Sequence, residues 1–242
     1  MRSQTELNER MRAILIDWMV EVQVQFRLKT ETLYLAISIV NRYLASNVVK
    51  RSTLQLVGVC ALFIASKYEE VRPPPVNDFV LITDSTYSKE QILSFEGNIL
   101  LALGFKLSVP SPLCFLEQFA QRLNFSPKNL FFARYIMELG MLEPLMLKYT
   151  PSLQAATAIY ITRVKMGEHC WDEDAEKEFR YTSEEVKTCA AHMLHAFQKY
   201  HLSKSLHGIR DKYSKEYYQR VSALDIEKLL VYLEQHIEFK RI

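Results

Sequence analysis

The amino-acid sequence predicts an all-α protein: two five-helix halves joined by a short proline-rich link, with an amphipathic helix at the C-terminus. Three observations carry this. The stretch RSTLQLVGVCALFIASKYEE (Arg51–Glu70) has no charge from Leu54 to Ser66 and is apolar on every side. That pattern marks a buried helix, and it is shorter than the roughly twenty residues needed to cross a bilayer. Glycine at 6 and proline at 8 in 242 residues are few, which favours long helices over tight turns. Caps and prolines also punctuate the chain into five helical segments twice, on either side of Val109–Pro112. The boundaries this gives are 1–108, 109–206 and a tail at 207–242.

Met11–Phe26 is the first strong helix. At about 100° per residue, Met11, Ile14, Leu15, Trp18 and Val22 share one face and Ala13, Ile16, Val20 and Val24 the other. A helix with two apolar faces is either sandwiched or leaves one face for something else. Thr30 is placed to cap a helix over about Glu31–Leu44, with Leu33, Leu35, Ile37, Val40 and Leu44 inward. In the core helix, Gly58 and Ala61 let neighbours approach, and Ser52 with Gln55 has capping-box spacing. Val71–Pro75 ends that helix, because proline cannot continue it. Asn77–Thr83 reads as a short helix. Ser88 and Gln91 form a second capping box, opening a helix to about Leu103 that stops at Gly104. Phe105–Leu107 follows as an extended apolar exit.

Beyond the link, Ser111–Pro112, Ser126–Pro127 and Thr150–Pro151 each combine a cap with proline at the first helical position. They open helices to about Leu123, Leu142 and Met166. Ala155, Ala156 and Ala158 make the third a second central helix. A short helix follows near Glu173–Phe179, and the capping box of Thr182 and Glu185 opens another to about Tyr200. His201–Asp211 reads as a polar connection. In the tail, Ile226, Leu229, Leu230, Leu233 and Ile237 form one stripe of a helix over Leu224–Ile237.

The net charge of +2 is no electrostatic footprint for nucleic acid. Cys60, Cys114, Cys170 and Cys189 form no C-x-x-C pair, which suits a reducing, intracellular compartment. No signal peptide or membrane span is evident, and the polar start MRSQTELNER reads as the edge of a fragment. Phosphate-cradling glycine loops and nucleophile elbows are missing. Cys189, His192 and His195 are spaced by three on one helix, but no fourth metal ligand is evident, so solvated or core histidines are the better reading. His169 and Cys170 have no orienting group or oxyanion site. The residues therefore point to a two-lobed helical interaction protein, not an enzyme, with neither a metal nor a cofactor.

Several ordered motifs also resemble a family. MRAILIDWMVEV (Met11–Val22), ETLYLAISIVNRYL (Glu31–Leu44), LQLVGVCALFIASKYEE (Leu54–Glu70) and FVLITDSTYSKEQIL (Phe79–Leu93) are similar to the cyclin box of the A/B, S-phase and mitotic, cyclins. LKYTPS (Leu147–Ser152), YTSEEVKTC (Tyr181–Cys189) and IRDKYSKEYYQRVSAL (Ile209–Leu224) resemble the second cyclin fold and tail, with an A-type flavour. The resemblance implies two tandem five-helix cyclin-like folds and a non-catalytic activator of a cyclin-dependent Ser/Thr kinase, acting in cell division in the nucleus or cytoplasm. It implies a kinase-binding surface of Ile64, Lys67, Tyr68, Glu70, Glu96, Leu100, Phe105 and Leu107, in which Lys67 and Glu96 grip the kinase's mobile regulatory helix. On the residues alone, those two would pair with each other on a free surface.

The resemblance further implies a shallow groove that docks substrates and inhibitors carrying a basic-x-leucine motif. Its matching residues are Met11, Ile14, Leu15, Trp18, Glu21, Arg51, Leu54, Gln55 and Ile82. The opening helix's first face then becomes the exposed one. Arg12 usually faces a buried Asp in this family, and this chain has Asn41 there. A buried guanidinium without its counter-charge needs other compensation, from Asp17 or a more distant carboxylate, or from water. The R-x-x-L strings at Arg12–Leu15 and Arg51–Leu54 look like degradation signals but lie in helices and read as structural. The rival function is a general-transcription-type double cyclin fold on promoter DNA, which the balanced charge disfavours.

Overall fold

The computed structural model describes residues 4–168, 171–224 and 230–231. Its backbone divides into two compact units, Met1–Val109 and Pro110–Ile242. The described residues are helical with no strand.

The first unit contains α1 (Glu9–Gln25), α2 (Thr30–Ser46), α3 (Leu54–Glu69), α4 (Val76–Leu81) and α5 (Lys89–Ala102). The uncharged stretch forms α3, whose residues Leu54 and Leu56–Ser66 are all buried. The other four helices pack around it. Gly58 has a specific reason: a Cβ there would lie 2.7 Å from Leu15 Cδ1, so its hydrogen is what lets α1 approach α3. Further along, the Phe79 ring lies 5.3 Å from Phe26 and 5.2 Å from Phe63. Together these contacts run α1 and α3 in the same sense. On α5, Ile92 and Ile99 face inward, Cys60 Sγ donates to the Ile92 carbonyl at 3.5 Å, and Phe95 meets Tyr43 edge-on at 5.8 Å.

Three local expectations are corrected in this unit. Ser52 and Gln55 form no capping box. Arg51–Thr53 winds as a 3-10 turn into α3, with Thr53 N–H bonded to Lys50 O and Leu54 N–H to Arg51 O, so backbone carbonyls replace the side-chain cap. Thr30 is the first residue of α2, not its cap. The capping role falls to Glu70, whose Oε1 accepts from Lys29 N–H at 2.7 Å and from the Thr32 hydroxyl at 2.6 Å. Phe105 is not extended: after Gly104 (φ 57°) it too is left-handed, at φ 58°, and its N–H closes a turn on Leu100 O at 2.9 Å. The capping box of Ser88 and Gln91 is present as expected.

The second unit contains α6 (Pro112–Arg122), α7 (Pro127–Met141), α8 (Pro151–Lys165), α9 (Glu173–Phe179), α10 (Ser183–His201) and α11 (Gly208–Ser214). Ser111, Ser126 and Thr150 accept from the N–H groups of Cys114, Asn129 and Leu153, each ahead of a proline at the helix start. The box of Thr182 and Glu185 forms. Helix α8 is the buried centre, with α6, α7 and α10 against it. The polar connection expected over His201–Asp211 is partly wrong, because Gly208 begins α11. Lys212 is responsible: its side chain is fully buried, and Nζ donates to both oxygens of Glu138 at 3.0 and 2.9 Å. The Tyr213 hydroxyl donates to the same carboxylate at 2.7 Å. A residue that reads as solvated is the pin holding α11 on α7. The expected tail helix over Leu224–Ile237 lies largely outside the described residues, as do His169 and Cys170.

Candidate functional site

Two surfaces of the first unit gather the residues singled out in the sequence. The first is a lip made by the C-terminal turn of α3 and by α5. Lys67, on α3, is ion-paired with Glu96, on α5, and the two side chains are 42% and 11% exposed. The Lys67 ammonium also sits 4.1 Å from the Phe63 ring centroid. Phe63 was not anticipated as a support; its spacing four residues before Lys67 on α3 was the available signal. The pair is asymmetric. Glu96 is largely buried and needs a hydrogen-bonding partner, whereas Lys67 is the more exposed of the two.

Around this pair, Tyr68 is 53% exposed and Phe105 64%, while Leu100 and Leu107 are half-buried. The left-handed turn at Gly104 and Phe105 projects the Phe105 ring outward at the end of α5. Ile64 is different: at 3% exposure it belongs to the core and supports the lip from below. Glu70 lies at the edge but already caps α2, and the Lys29 ammonium binds the Glu69 carbonyl beside it at 2.7 Å. The sequence reading overlooked Val71, Leu93 and Leu101, which are 90%, 42% and 70% exposed.

The second surface is the outer face of α1. Ile14 is 48% exposed, Met11 and Trp18 are half-buried, and Glu21 is exposed. Their spacing of three or four residues lines them along one stripe. Leu15 and Leu54, grouped with them in the sequence, are core residues at 5% and 7% exposure. Leu15 turns inward because it fills the space over Gly58. Val22 is likewise buried, so the helix's two faces are neither both covered nor cleanly split.

Because α1 and α3 run in the same sense, Arg51 and Gln55 lie toward the start of α1. Ile82 lies toward its end, where it lines a concavity with Gln25, Phe26, Asp78, Leu81 and Asp84. Arg51 is exposed, and its N–H is held by Glu6 Oε2 at 3.1 Å. Gln4 fixes the loop beside it by donating to the Leu44 and Asn47 carbonyls and accepting from Val49 N–H.

Beneath this face, Arg12 is 1% exposed and Asp17 5%. Arg12 Nε donates to Asn41 Oδ1 at 2.9 Å, so the amide does face the guanidinium. Both R-x-x-L strings lie in helical backbone.

Among the described residues, no group of three or more His, Cys, Asp or Glu is disposed to hold a metal. Cys189 is buried with its thiol pushed up to about 12 by desolvation. His192 accepts or donates to the Tyr149 hydroxyl at 2.7 Å. No helix among the described residues is long and apolar enough to cross a membrane.

Comparison with known proteins supplies the context for these two surfaces. The cyclin N-terminal domain matches residues 1–108, and the cyclin C-terminal domain matches residues 110–227. The G2/mitotic-specific cyclin S13-7 of Glycine max is 41% identical over 94% of this chain and 89% of its own length. Cyclin-B2-1 of rice is 44% identical over 88% of this chain and 51% of its own length, so the chain spans about half of that relative. The G2/mitotic-specific cyclin-A of Drosophila melanogaster is 37% identical over 93% of the chain and 46% of its own. In fold, the chain is similar to a viral cyclin from herpesvirus saimiri, with TM-score 0.70, 22% identity, and 82% and 91% of the two chains covered. It is also similar to a chain of the yeast RNA polymerase II CTD kinase complex, with TM-score 0.68 and 15% identity over 97% and 84% of the two chains.

Proposed function

The chain belongs to the cyclin family, and from that premise we propose that it is the regulatory subunit of a cyclin-dependent Ser/Thr kinase in the cell-division cycle. It supplies area and rigidity, not a reacting group. The kinase's regulatory helix docks on the lip of α3 and α5, with contacts from Lys67, Tyr68, Glu96, Leu100, Phe105 and Leu107. The convergence of Lys67 and Glu96 from separate helices onto one lip is the observation that carries this reading.

The mechanism is an exchange of partners. In the free chain Lys67 satisfies the mostly buried Glu96 carboxylate. A partly exposed ion pair of this kind contributes at most about 1 kcal/mol. Breaking it is therefore a small loss once a docked helix offers Glu96 a donor and Lys67 a carbonyl, because charge-assisted bonds are the stronger kind. The exposed aromatics then cover those bonds. Binding only the active arrangement of the kinase shifts its population toward that arrangement and completes its internal Lys–Glu pair. An interface above about 2,000 Å² suits such an assembly.

The α1 face is the second part of the proposal. Met11, Ile14, Trp18 and Gln55 receive the leucine of a basic-x-leucine motif, Glu21 meets its cation, and Ile82 extends the surface toward the end of α1. Leu15 and Leu54 form the floor. The free thiols Cys60, Cys114 and Cys189 favour an intracellular setting, nucleus or cytoplasm. A DNA-binding role is not supported: the net charge is +2, and the relatives are named as cyclins. The test is reconstitution with a purified cyclin-dependent kinase. Wild-type chain raises its activity, and Trp18→Ala preserves activity on a minimal peptide while weakening phosphorylation of substrates that carry the docking motif. Equal loss on both substrates assigns Trp18 to the core instead.

A further inference from the structure

All six histidines of the chain lie beyond residue 168, and residues 1–109 contain none. Imidazole is the side chain whose ordinary titration falls between about pH 5 and 8, so a histidine response to mild acid belongs to the second unit alone. His201 closes α10 at the junction with α7 and α11. Its ring stacks on Phe197, with centroids 5.0 Å apart and planes 15° apart. Its Nδ1 is 2.7 Å from the Tyr135 hydroxyl of α7. Tyr135 is fully buried, and among the described residues that nitrogen is the hydroxyl's hydrogen-bond partner. A phenol keeps its proton near neutral pH, and a buried donor left without an acceptor is costly. Tyr135 therefore donates, and Nδ1 accepts through its lone pair. A proton on Nδ1 would turn two donors toward each other.

The surrounding charges act in the same direction. From α11, the Arg210 guanidinium donates to the His201 carbonyl at 3.1 Å and to the Ser203 carbonyl at 3.3 Å. The C-terminal end of a helix ordinarily favours an imidazolium, but here Arg210 already supplies the cation. The neighbouring carboxylates are engaged elsewhere. Asp211 is 2.8 Å from His207 Nδ1, Glu138, one turn along α7 from Tyr135, holds Lys212 and Tyr213, and Glu143 holds Lys199. Burial, and then Arg210, keep His201 below its ordinary value of 6.5.

We propose that His201 is an acid-sensitive latch: as a neutral acceptor it holds α10 to α7 and α11, and its protonation opens that junction while the first unit stays closed. The folded chain resists a proton that the unfolded chain takes up near 6.5. Stability is therefore complete above that pH and is lost as pH falls from 6.5 through the lower folded value. Carboxylates, which ordinarily titrate near about 4, contribute only further down. The opening is local. Lys212 still pins α11 to Glu138, so the helix loosens from its Gly208 end, where Arg210 reaches back to α10.

The experiment follows amide hydrogen exchange of the full chain at about pH 7 and about pH 5.5, on either side of the ordinary histidine value, corrected for the intrinsic pH dependence of exchange. Wild type, His201→Gln and Tyr135→Phe are compared. In wild type, amides over residues 202–211 lose protection at least about fivefold at the lower pH, and those of the first unit do not change. His201→Gln offers Tyr135 an acceptor that cannot charge, and its protection stays within about twofold. Tyr135→Phe has no hydroxyl to orphan and loses less protection than wild type. A titration of the His201 ring by NMR in the wild-type chain stands apart from any folding defect of the variants; its midpoint is expected below 6.5. A midpoint at or above 6.5 overturns the latch. So does a His201→Gln chain that loosens over 202–211 as much as wild type, or a first unit that loosens in step with the second.

Discussion

Replacing Glu70 by alanine separates a structural role from a partner-binding one. In the free chain its carboxylate accepts Lys29 N–H at 2.7 Å and the Thr32 hydroxyl at 2.6 Å. Lys29 is the N-cap residue of α2 and makes no side-chain cap bond of its own, so Glu70 supplies the cap from another helix. Loss of a cap costs about 0.5–2 kcal/mol, and bonds to a charged group stand at the upper end of hydrogen-bond strengths. Glu70 is half-buried, so solvent screens part of this, which leaves about 1–2 kcal/mol. In a unit of roughly 100 residues each kcal/mol moves the midpoint by about 4–8 °C. Glu70→Ala is expected to lower the thermal midpoint of the first unit by at least about 4 °C. Glu70→Gln keeps an acceptor but loses the charge that favours the helix N-terminus, and falls about half as far. Calorimetry on the free chain checks both. An unchanged midpoint with weakened kinase binding would show that Glu70 acts through the partner alone, and would refute the capping argument.

Other outcomes follow from the buried and exposed groups. Asn41→Asp gives the buried Arg12 guanidinium a charged acceptor in place of an amide, so the melting temperature stays level or rises; a clear drop contradicts this. Lys212→Met leaves the fully buried Glu138 carboxylate without its cation and destabilises the second unit by about 3–5 kcal/mol, seen as early proteolytic cleavage there. Burial raises the Cys60 thiol well above its ordinary range and lifts Cys189 from 9.0 to about 12. A folded chain thus holds its thiol protons where an unfolded one loses them, and stability declines as pH rises from about 9 toward 12. At neutral pH, iodoacetamide labels exposed Cys114 in the folded chain and reaches Cys60 and Cys189 only in denaturant.

Helix positions were legible because their signals are local. Ser126, ahead of Pro127, caps the Asn129 N–H, and Thr182 pairs with Glu185, in each case residues three apart. The apolar cylinder of α3 likewise announces its burial from composition alone. Non-local contacts were not legible. Nothing near Thr30 shows that Glu70 caps α2 from forty residues away, and nothing near Lys212 shows that Glu138 awaits it. The two surfaces divide in the same way. Periodicity placed Met11, Ile14 and Trp18 on one stripe, but only the partner helix decides that Leu15 turns toward Gly58 and leaves the surface. The residues alone suggested that Lys67 and Glu96 pair with each other, and they do; only the resemblance marked that pair as a partner-binding site.

Kinase activation by Lys67→Ala together with Glu96→Ala is the measurement on which the functional account turns. The double variant is expected to keep a wild-type circular dichroism spectrum, because one partner is surface-exposed and the buried carboxylate is removed with it. It is expected to leave a purified cyclin-dependent kinase at its basal rate at concentrations where wild-type chain saturates it. Full activation by a folded double variant would contradict the proposal that these two groups hold the kinase.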